Sequence, residues 1–419
     1  MRLLIKSATI IDSNSPHHLK QQDILIENGN IKSIKDSIQV EVDEKIELNN
    51  LHVSPGWFDS SVSFGEPGFE DRETIQNGLD TAMKSGFTKI VLNSNTNPVI
   101  DHSALVQFVK TKSEKHIVDV LPSGALTKNS KLENLAELYD MHQSGACAFG
   151  DYKKSISNTN LLKIALQYCK SFEGLIQLYP IDNSLSEDFQ MHEGEVSTSQ
   201  SLKGLPVMAE VIELQRDLEV IKYTGGKAHF SCISSAQSVE IIKNAKAIGL
   251  DVTCSVAISN LIFTDKYLHD FDTKYKIWPP LRDHSDKEAL RNGLIDGVID
   301  MVTADHNPIN IELKKTEFEQ AEFGSIGLES AFGALNNTFG LERCIGFLTR
   351  GKSRFKQNQN AIATNQAAEL TLFDPAREWI FKESDIFSKS KNSIFLGEDL
   401  KGKVYGIINN SKFYVSDYK

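Results

Sequence analysis

The chain has 419 residues, room for two or three ordinary domains or for one large α/β barrel with an appendage, which excludes a lone binding module and a disulfide mini-protein. Hydrophobic residues make up 40% beside 26 glycines, the balance of a globular chain with a sizeable core. The net charge of −11 is spread along the chain without a basic run, so no nucleic-acid partner is expected, and no stretch reaches the ~18 apolar residues of a membrane span.

The opening residues, MRLLIKSATIIDS, alternate apolar and polar and soon reach charged sequence, unlike the unbroken apolar core of an export signal. Five cysteines at scattered spacings (Cys147, Cys169, Cys232, Cys254, Cys344) form neither a disulfide framework nor a paired zinc motif. A reducing cytoplasm is the expected compartment.

Short strands are predicted at Leu3 to Ile11, Asp23 to Ile26, Ile31 to Ile34 and near Ile46, with Asn28-Gly29-Asn30 as a hairpin turn. The last seventy or so residues return to this style at Ala368 to Phe373, Lys403 to Ile408 and Lys412 to Val415, and the two ends are expected to pair. Between them, β-branched runs alternate with amphipathic segments: strands at Val53–Phe64, Lys89–Leu92, Ile117–Leu121, Cys147–Phe149, Leu175–Leu178, Ala228–Cys232, Asp251–Ser255 and Val298–Thr303. Helices are predicted at Arg72–Lys84, Leu132–His142, Ala209–Tyr223 and Ala236–Ile248, the last closed by Gly249. Eight such units specify an α/β fold, a (β/α)8 TIM barrel over residues 55–345, with a small β-sandwich-like domain from residues 1–54 and 346–419.

Barrel chemistry sits at the C-terminal ends of the strands, and the first strand ends in Pro55-Gly56-Trp57-Phe58-Asp59-Ser60-Ser61-Val62-Ser63-Phe64-Gly65-Glu66-Pro67-Gly68. This resembles P-G-F-x-D-x-H-x-H-x-R-x-P-G of amidohydrolases, in particular dihydroorotases of the type fused or complexed with aspartate carbamoyltransferase. Further stretches resemble the same family in the same order. Asn95-Thr96-Asn97-Pro98 matches M-P-N-T-x-P, Phe149-Gly150-Asp151 opens a match to F-S-D-D-G, and Lys276 to Arg282 (KIWPPLR) matches K-V-N-P-P-L-R. Asp305-His306-Asn307-Pro308 matches D-H-A-P-H, and Phe323 to Glu329 matches F-G-x-x-G-L-E. The resemblance covers nearly the whole chain and implies a barrel of the amidohydrolase type.

In that family a zinc site polarises the cyclic amide and activates water while an aspartate shuttles the proton. The resemblance places the four zinc histidines at Ser61, Ser63, Tyr179 and Cys232, the bridging carboxylate at Asp151 and the general base at Asp305. Neutral hydroxyls in the H-x-H spacing have neither the charge nor the softness for Zn²⁺, so no metal or other cofactor is expected and Asp305 reads as vestigial. The family's substrate-carboxylate grip falls on Gly65, Asn95 and Ile309, of which only Asn95 keeps its family identity. Trp278 stands where the family has a small Asn, and His306 reads as a hydrogen-bonded structural residue.

The resulting expectation is a dihydroorotase-like protein of pyrimidine biosynthesis without catalytic activity, a structural or regulatory partner of aspartate carbamoyltransferase in a homo- or hetero-oligomer. An active or residual cyclic amidohydrolase with an altered metal site is one alternative. A small-molecule sensor using the vacated barrel mouth is another.

Overall fold

The computed structural model describes residues 2–416. The chain begins with β1 (Arg2–Ile10), β2 (Gln21–Glu27), β3 (Asn30–Lys35), β4 (Glu44–Ile46) and β5 (His52–Pro55). Asn28 and Gly29 take the left-handed conformation (φ 49° and 79°) between β2 and β3, as a tight hairpin requires. Barrel strands follow: β6 (Trp57–Val62), β7 (Phe87–Leu92), β8 (Asp119–Gly124), β9 (Ala148–Phe149) and β10 (Ile176–Leu178). A two-stranded excursion, β11 (Met191–His192) and β12 (Gly204–Leu205), precedes the last barrel strands β13 (Ala228–Phe230), β14 (Val252–Ala257) and β15 (Met301–Thr303). The chain ends with β16 (Leu370–Ile380), β17 (Asp399–Asn409) and β18 (Lys412–Val415).

The eight barrel strands run in the order β15-β14-β13-β10-β9-β8-β7-β6, with parallel pairing between neighbours. A parallel bridge between Val62 and His306, with Ser63 N donating to His306 O at 2.7 Å, brings the last strand back to the first and closes the barrel. Every residue of β6 and β7 is buried, the expected state of parallel strands covered by helices on the outside. Those helices start where the sequence supplies caps. Thr74 accepts from Asn77 N ahead of helix Ile75–Lys84, and Ser235 accepts from Ser238 N ahead of helix Ala236–Ala247.

The two chain ends form one sheet in the order β18-β17-β16-β5-β1-β2-β3, with β4 against β1. The expected pairing of the ends is made by β5 and β16, antiparallel from Leu370 opposite Pro55 to Phe373 opposite His52. The run expected as one strand from Val53 to Phe64 is two. Gly56 lies so close to Thr88 that a Cβ there would stand 2.3 Å from its hydroxyl, and at this point the chain passes from the end sheet into the barrel. The predicted helix Leu132–His142 is also shorter, Leu138–Gln143, because Leu135 bridges back to Thr127 and holds the preceding residues as a loop. Trp57, fully buried, packs on Phe87, Phe332 and Phe373 and joins the two units. Lys352, with 1% of its side chain exposed, donates to Glu369 at 2.6 Å, and Lys89 pairs with the same carboxylate at 3.3 Å. Among the described residues all five cysteines are free, and no helix is long and apolar enough to cross a membrane.

Candidate active site at the barrel mouth

β6 delivers Ser61 and Ser63 to the C-terminal end of the barrel. Residues two apart on a strand share a face, and Asn93, one residue past β7, donates from one amide nitrogen to both hydroxyls at 3.1 Å. Ser63 in turn donates to Asn95 Oδ1 at 3.0 Å. Below this ladder, Asp59 accepts from Thr303 Oγ1 at 2.6 Å, Ala304 N at 2.7 Å and Ser61 N at 2.9 Å. Burial nonetheless pushes its carboxyl up to about 6. Asp59 thus ties the first barrel strand to the last and fixes the height at which Ser61 and Asp305 emerge.

Asp305 follows β15 with a left-handed backbone (φ 44°). Its carboxylate accepts from Lys153 Nζ at 2.8 Å and from the Tyr152 hydroxyl at 3.3 Å. Burial raises its pKa, and the Lys153 ammonium opposes that shift. Tyr152 packs edge-on against Tyr179, and Tyr179 lies against Trp278 with centroids 6.0 Å apart, so three aromatic rings stand over the strand ends. The Tyr179 hydroxyl is within hydrogen-bonding reach of Ser61; burial raises both phenols well above the ordinary tyrosine value and keeps them proton donors. Cys232, also left-handed (φ 57°), is buried beneath, and its thiol is likewise pushed well up by burial, with the Asp305 charge adding to the effect.

The remaining expected residues lie elsewhere or serve other ends. Asp151 accepts from Thr127 Oγ1 at 2.7 Å and Thr127 N at 3.3 Å, anchoring the loop after β8. Ile309 is buried, its backbone N–H donating to Asn392. Gly65 is a close-approach glycine: a Cβ there would stand 2.1 Å from Phe69 O, so the loop after β6 has no room for a longer side chain. His306 is fully buried, and its Nδ1 accepts from Gly327 N and Leu328 N at the start of helix Leu328–Phe339. Burial lowers its pKa to about 4. Tyr152, Lys153, Asn93 and Asp59 belong to the site and were not singled out by the sequence reading. The signal available for the first two was their direct succession to Asp151, where the F-S-D-D-G motif has Asp and Gly.

These donors do not fit a zinc ion at the mouth. Zinc requires imidazole, thiolate or carboxylate, whereas Ser61, Ser63 and Tyr179 are hydroxyls, Cys232 is held protonated, Asp151 is taken up by Thr127, and Asp305 already faces an ammonium. The expectation of no cofactor gains no support from the rest of the molecule, because His192, Asp283 and Asp286 bring ligand atoms within 4.8 Å of one another. That group is a poor cation site. Arg282 Nη1 donates to His192 Nδ1 at 3.1 Å, which leaves the ring proton on Nε2 and sets a guanidinium beside the carboxylates.

A family model described as dihydro-orotase-like matches residues 51–238. The chain is 35% identical to a dihydroorotase of Thermoanaerobacter sp. (strain X514) over 411 residues, covering 96% of this chain and 95% of the relative. It is 36% identical to a dihydroorotase of Caldicellulosiruptor saccharolyticus over 426 residues, 99% of each. Among solved structures, an L-hydantoinase (dihydropyrimidinase) from Arthrobacter aurescens superposes with a TM-score of 0.85 at 20% identity, over 100% of this chain and 96% of that one. A D-hydantoinase from Thermus sp. gives 0.82, also at 20% identity and with the same coverage, and the two establish the fold. End-to-end identity to proteins named for an enzymatic activity overturns the expectation of a chain that is not an enzyme. The chain belongs to the dihydroorotase family.

Proposed function

We propose that this protein hydrolyses a cyclic amide of the dihydroorotate kind, in pyrimidine biosynthesis, at a reaction centre rebuilt in the mouth of its barrel. The observation that carries the reading is Asp305, at the family's general-base position, buried, and held by an ammonium at 2.8 Å and a phenol at 3.3 Å. Opening such a ring requires water to add to the carbonyl, a base to take the water proton, and an acid to return it to the leaving nitrogen. A carboxylate with a raised pKa suits both halves of that proton cycle. The Tyr179 hydroxyl remains protonated and is a donor available to an oxygen in which charge develops, while Tyr152 spends its proton on Asp305. The Ser61–Asn93–Ser63–Asn95 ladder offers further donors and acceptors for the ring. No step is routed through zinc, because the residues at the mouth do not fit it.

The test is ring-opening of dihydroorotate by chelator-treated protein and by Asp305→Asn. Turnover above the buffer rate, falling on the order of 10²–10⁴-fold in the variant, is the expected result, the usual range for a positioned acid–base group. Turnover indistinguishable from buffer, with or without added zinc, overturns the proposal. Association with aspartate carbamoyltransferase is proposed alongside, supported by the resemblance to dihydroorotases complexed with that enzyme.

A further inference from the structure

Lys153 stands where nothing local calls for a cation. Its backbone is left-handed (φ 54°), a conformation that residues with a long side chain rarely take. In the register of the F-S-D-D-G motif it occupies the glycine. The side chain runs into the mouth with 12% of its surface exposed and delivers Nζ to Asp305. The same ammonium lies 5.1 Å from the Tyr152 ring centroid and 5.7 Å from that of Trp278. Two π faces and one carboxylate around a cation make a built cation site. Tyr152 and Trp278 are themselves departures from the family motifs, in place of Asp and Asn, so three changes scattered over 127 positions of sequence converge on one charge.

We infer that the Lys153 ammonium is a tethered cation standing in for the metal, and that it is a catalytic residue: the electrophile that polarises the scissile carbonyl. This rests on the function proposed above and names the group that carries it. An ammonium has three N–H donors, and Asp305 takes one, leaving two for the substrate. As water adds, the new C–O bond forms, the carbonyl π pair moves onto oxygen beside Nζ, and the water proton passes to Asp305. On collapse the carbonyl re-forms, the C–N bond breaks and the proton goes from Asp305 to the ring nitrogen. Lys153 stays an ammonium throughout. Its charge also repels any divalent cation approaching Asp305.

The test compares the full-length, chelator-treated protein with Lys153→Met and Lys153→Arg. Melting temperature with and without millimolar dihydroorotate, and ring-opening kinetics, are the readouts. Dihydroorotate is expected to raise the melting temperature of the parent protein and of Lys153→Arg, and to raise that of Lys153→Met less. The kcat of Lys153→Met is expected to fall on the order of 10²–10³-fold, the cost of one oxyanion donor, with a smaller change in KM. A double variant, Lys153→Met with Asp305→Asn, removes both charges; its recovery of the parent melting temperature shows that the single variant suffers from an unpaired carboxylate rather than a lost fold. A shift and kcat in Lys153→Met within about threefold of the parent, no shift in the parent, or activity that returns with stoichiometric zinc each overturn the inference. A shift in the parent and in Lys153→Arg without any turnover shows a binding site only, and removes both the proposed hydrolysis and the electrophile role of Lys153.

Discussion

Gly65 offers a sharp test of whether the loop after β6 has room for the arginine that the matching family motif carries at this position. The loop after β6 turns back on itself, with Phe69 N donating to Gly65 O at 2.9 Å. A Cβ on residue 65 would lie 2.1 Å from Phe69 O, 2.8 Å from Phe69 C and 3.1 Å from Glu73 O, all backbone atoms. These atoms cannot rotate aside as a side-chain tip can, and Glu73 is itself fixed by hydrogen bonds to Lys389 N, Thr74 N and Asn77. Gly65→Ala is therefore expected to cost about 1–3 kcal/mol, the range for forcing an extra carbon into a packed site. Gly65→Arg is expected to cost at least as much and to restore no grip on a carboxylate. The assay is equilibrium denaturation in urea, where the expected signature is a lower midpoint at an unchanged slope. An alanine variant as stable as the parent would show that the loop yields freely, and the geometric account of the missing arginine would then be wrong.

Four further outcomes are expected. His229, buried between Thr253 and Ser255, has its pKa lowered by burial to about 3, so the unfolded chain binds the extra proton below pH ~6.5 and stability falls with acidification; between pH 6.5 and 5 this one group contributes a loss of ~2 kcal/mol. A His229→Gln variant is expected to flatten that part of the stability–pH curve, and an unchanged slope contradicts the assignment. Lys352→Met leaves the Glu369 carboxylate with Lys89 and Thr88 as partners, and a loss of about 1–3 kcal/mol is expected in the same urea assay. Restoring Ser61→His with Ser63→His is expected to leave zinc content below one ion per chain, because Tyr179, Cys232 and the Lys153–Asp305 pair still fill the mouth; metal analysis decides. Mixing with aspartate carbamoyltransferase at micromolar concentration is expected to give a shared size-exclusion peak, and separate elution removes that partner.

Much of the barrel is legible in the sequence because most of its strands are buried on both faces and read as short apolar runs between turns. Where the sequence misleads, one run of residues answers to two neighbours. Val53 to Phe64 has the unbroken character of one strand, yet β5 pairs with β16 in the end sheet while β6 pairs with β7 in the barrel. No periodicity marks that transfer; only the contact between Gly56 and Thr88 does. Leu132, Leu135 and Leu138 have helical spacing, but Leu132 takes φ 64° and Leu135 bridges to Thr127, so tertiary pairing overrides the pattern. The resemblance assigns the family's histidine positions to Ser61, Ser63, Tyr179 and Cys232 because the residues around them match the family motifs. Lys153 cannot be read in the same way, since its significance arises only when folding brings it to Asp305, 152 positions away.

The mouth is packed rather than empty. A buried mouth lined by hydroxyls, a thiol and a carboxylate would hold voids and stranded donors unless packed and paired, each costing stability. Instead Tyr152, Tyr179 and Trp278 pack edge-on and tilted against one another, and Asn93 donates to both serine hydroxyls. Asp305, which would otherwise be a buried charge alone, is paired with the Lys153 ammonium. Three backbone positions around it, Lys153, Cys232 and Asp305, are held in the left-handed conformation, which costs side-chain-bearing residues roughly 1–3 kcal/mol each and persists only where the surroundings enforce it. Charge is balanced at this point because the Lys153 ammonium is held against Asp305 at 2.8 Å, with 12% and 10% of the two side chains exposed.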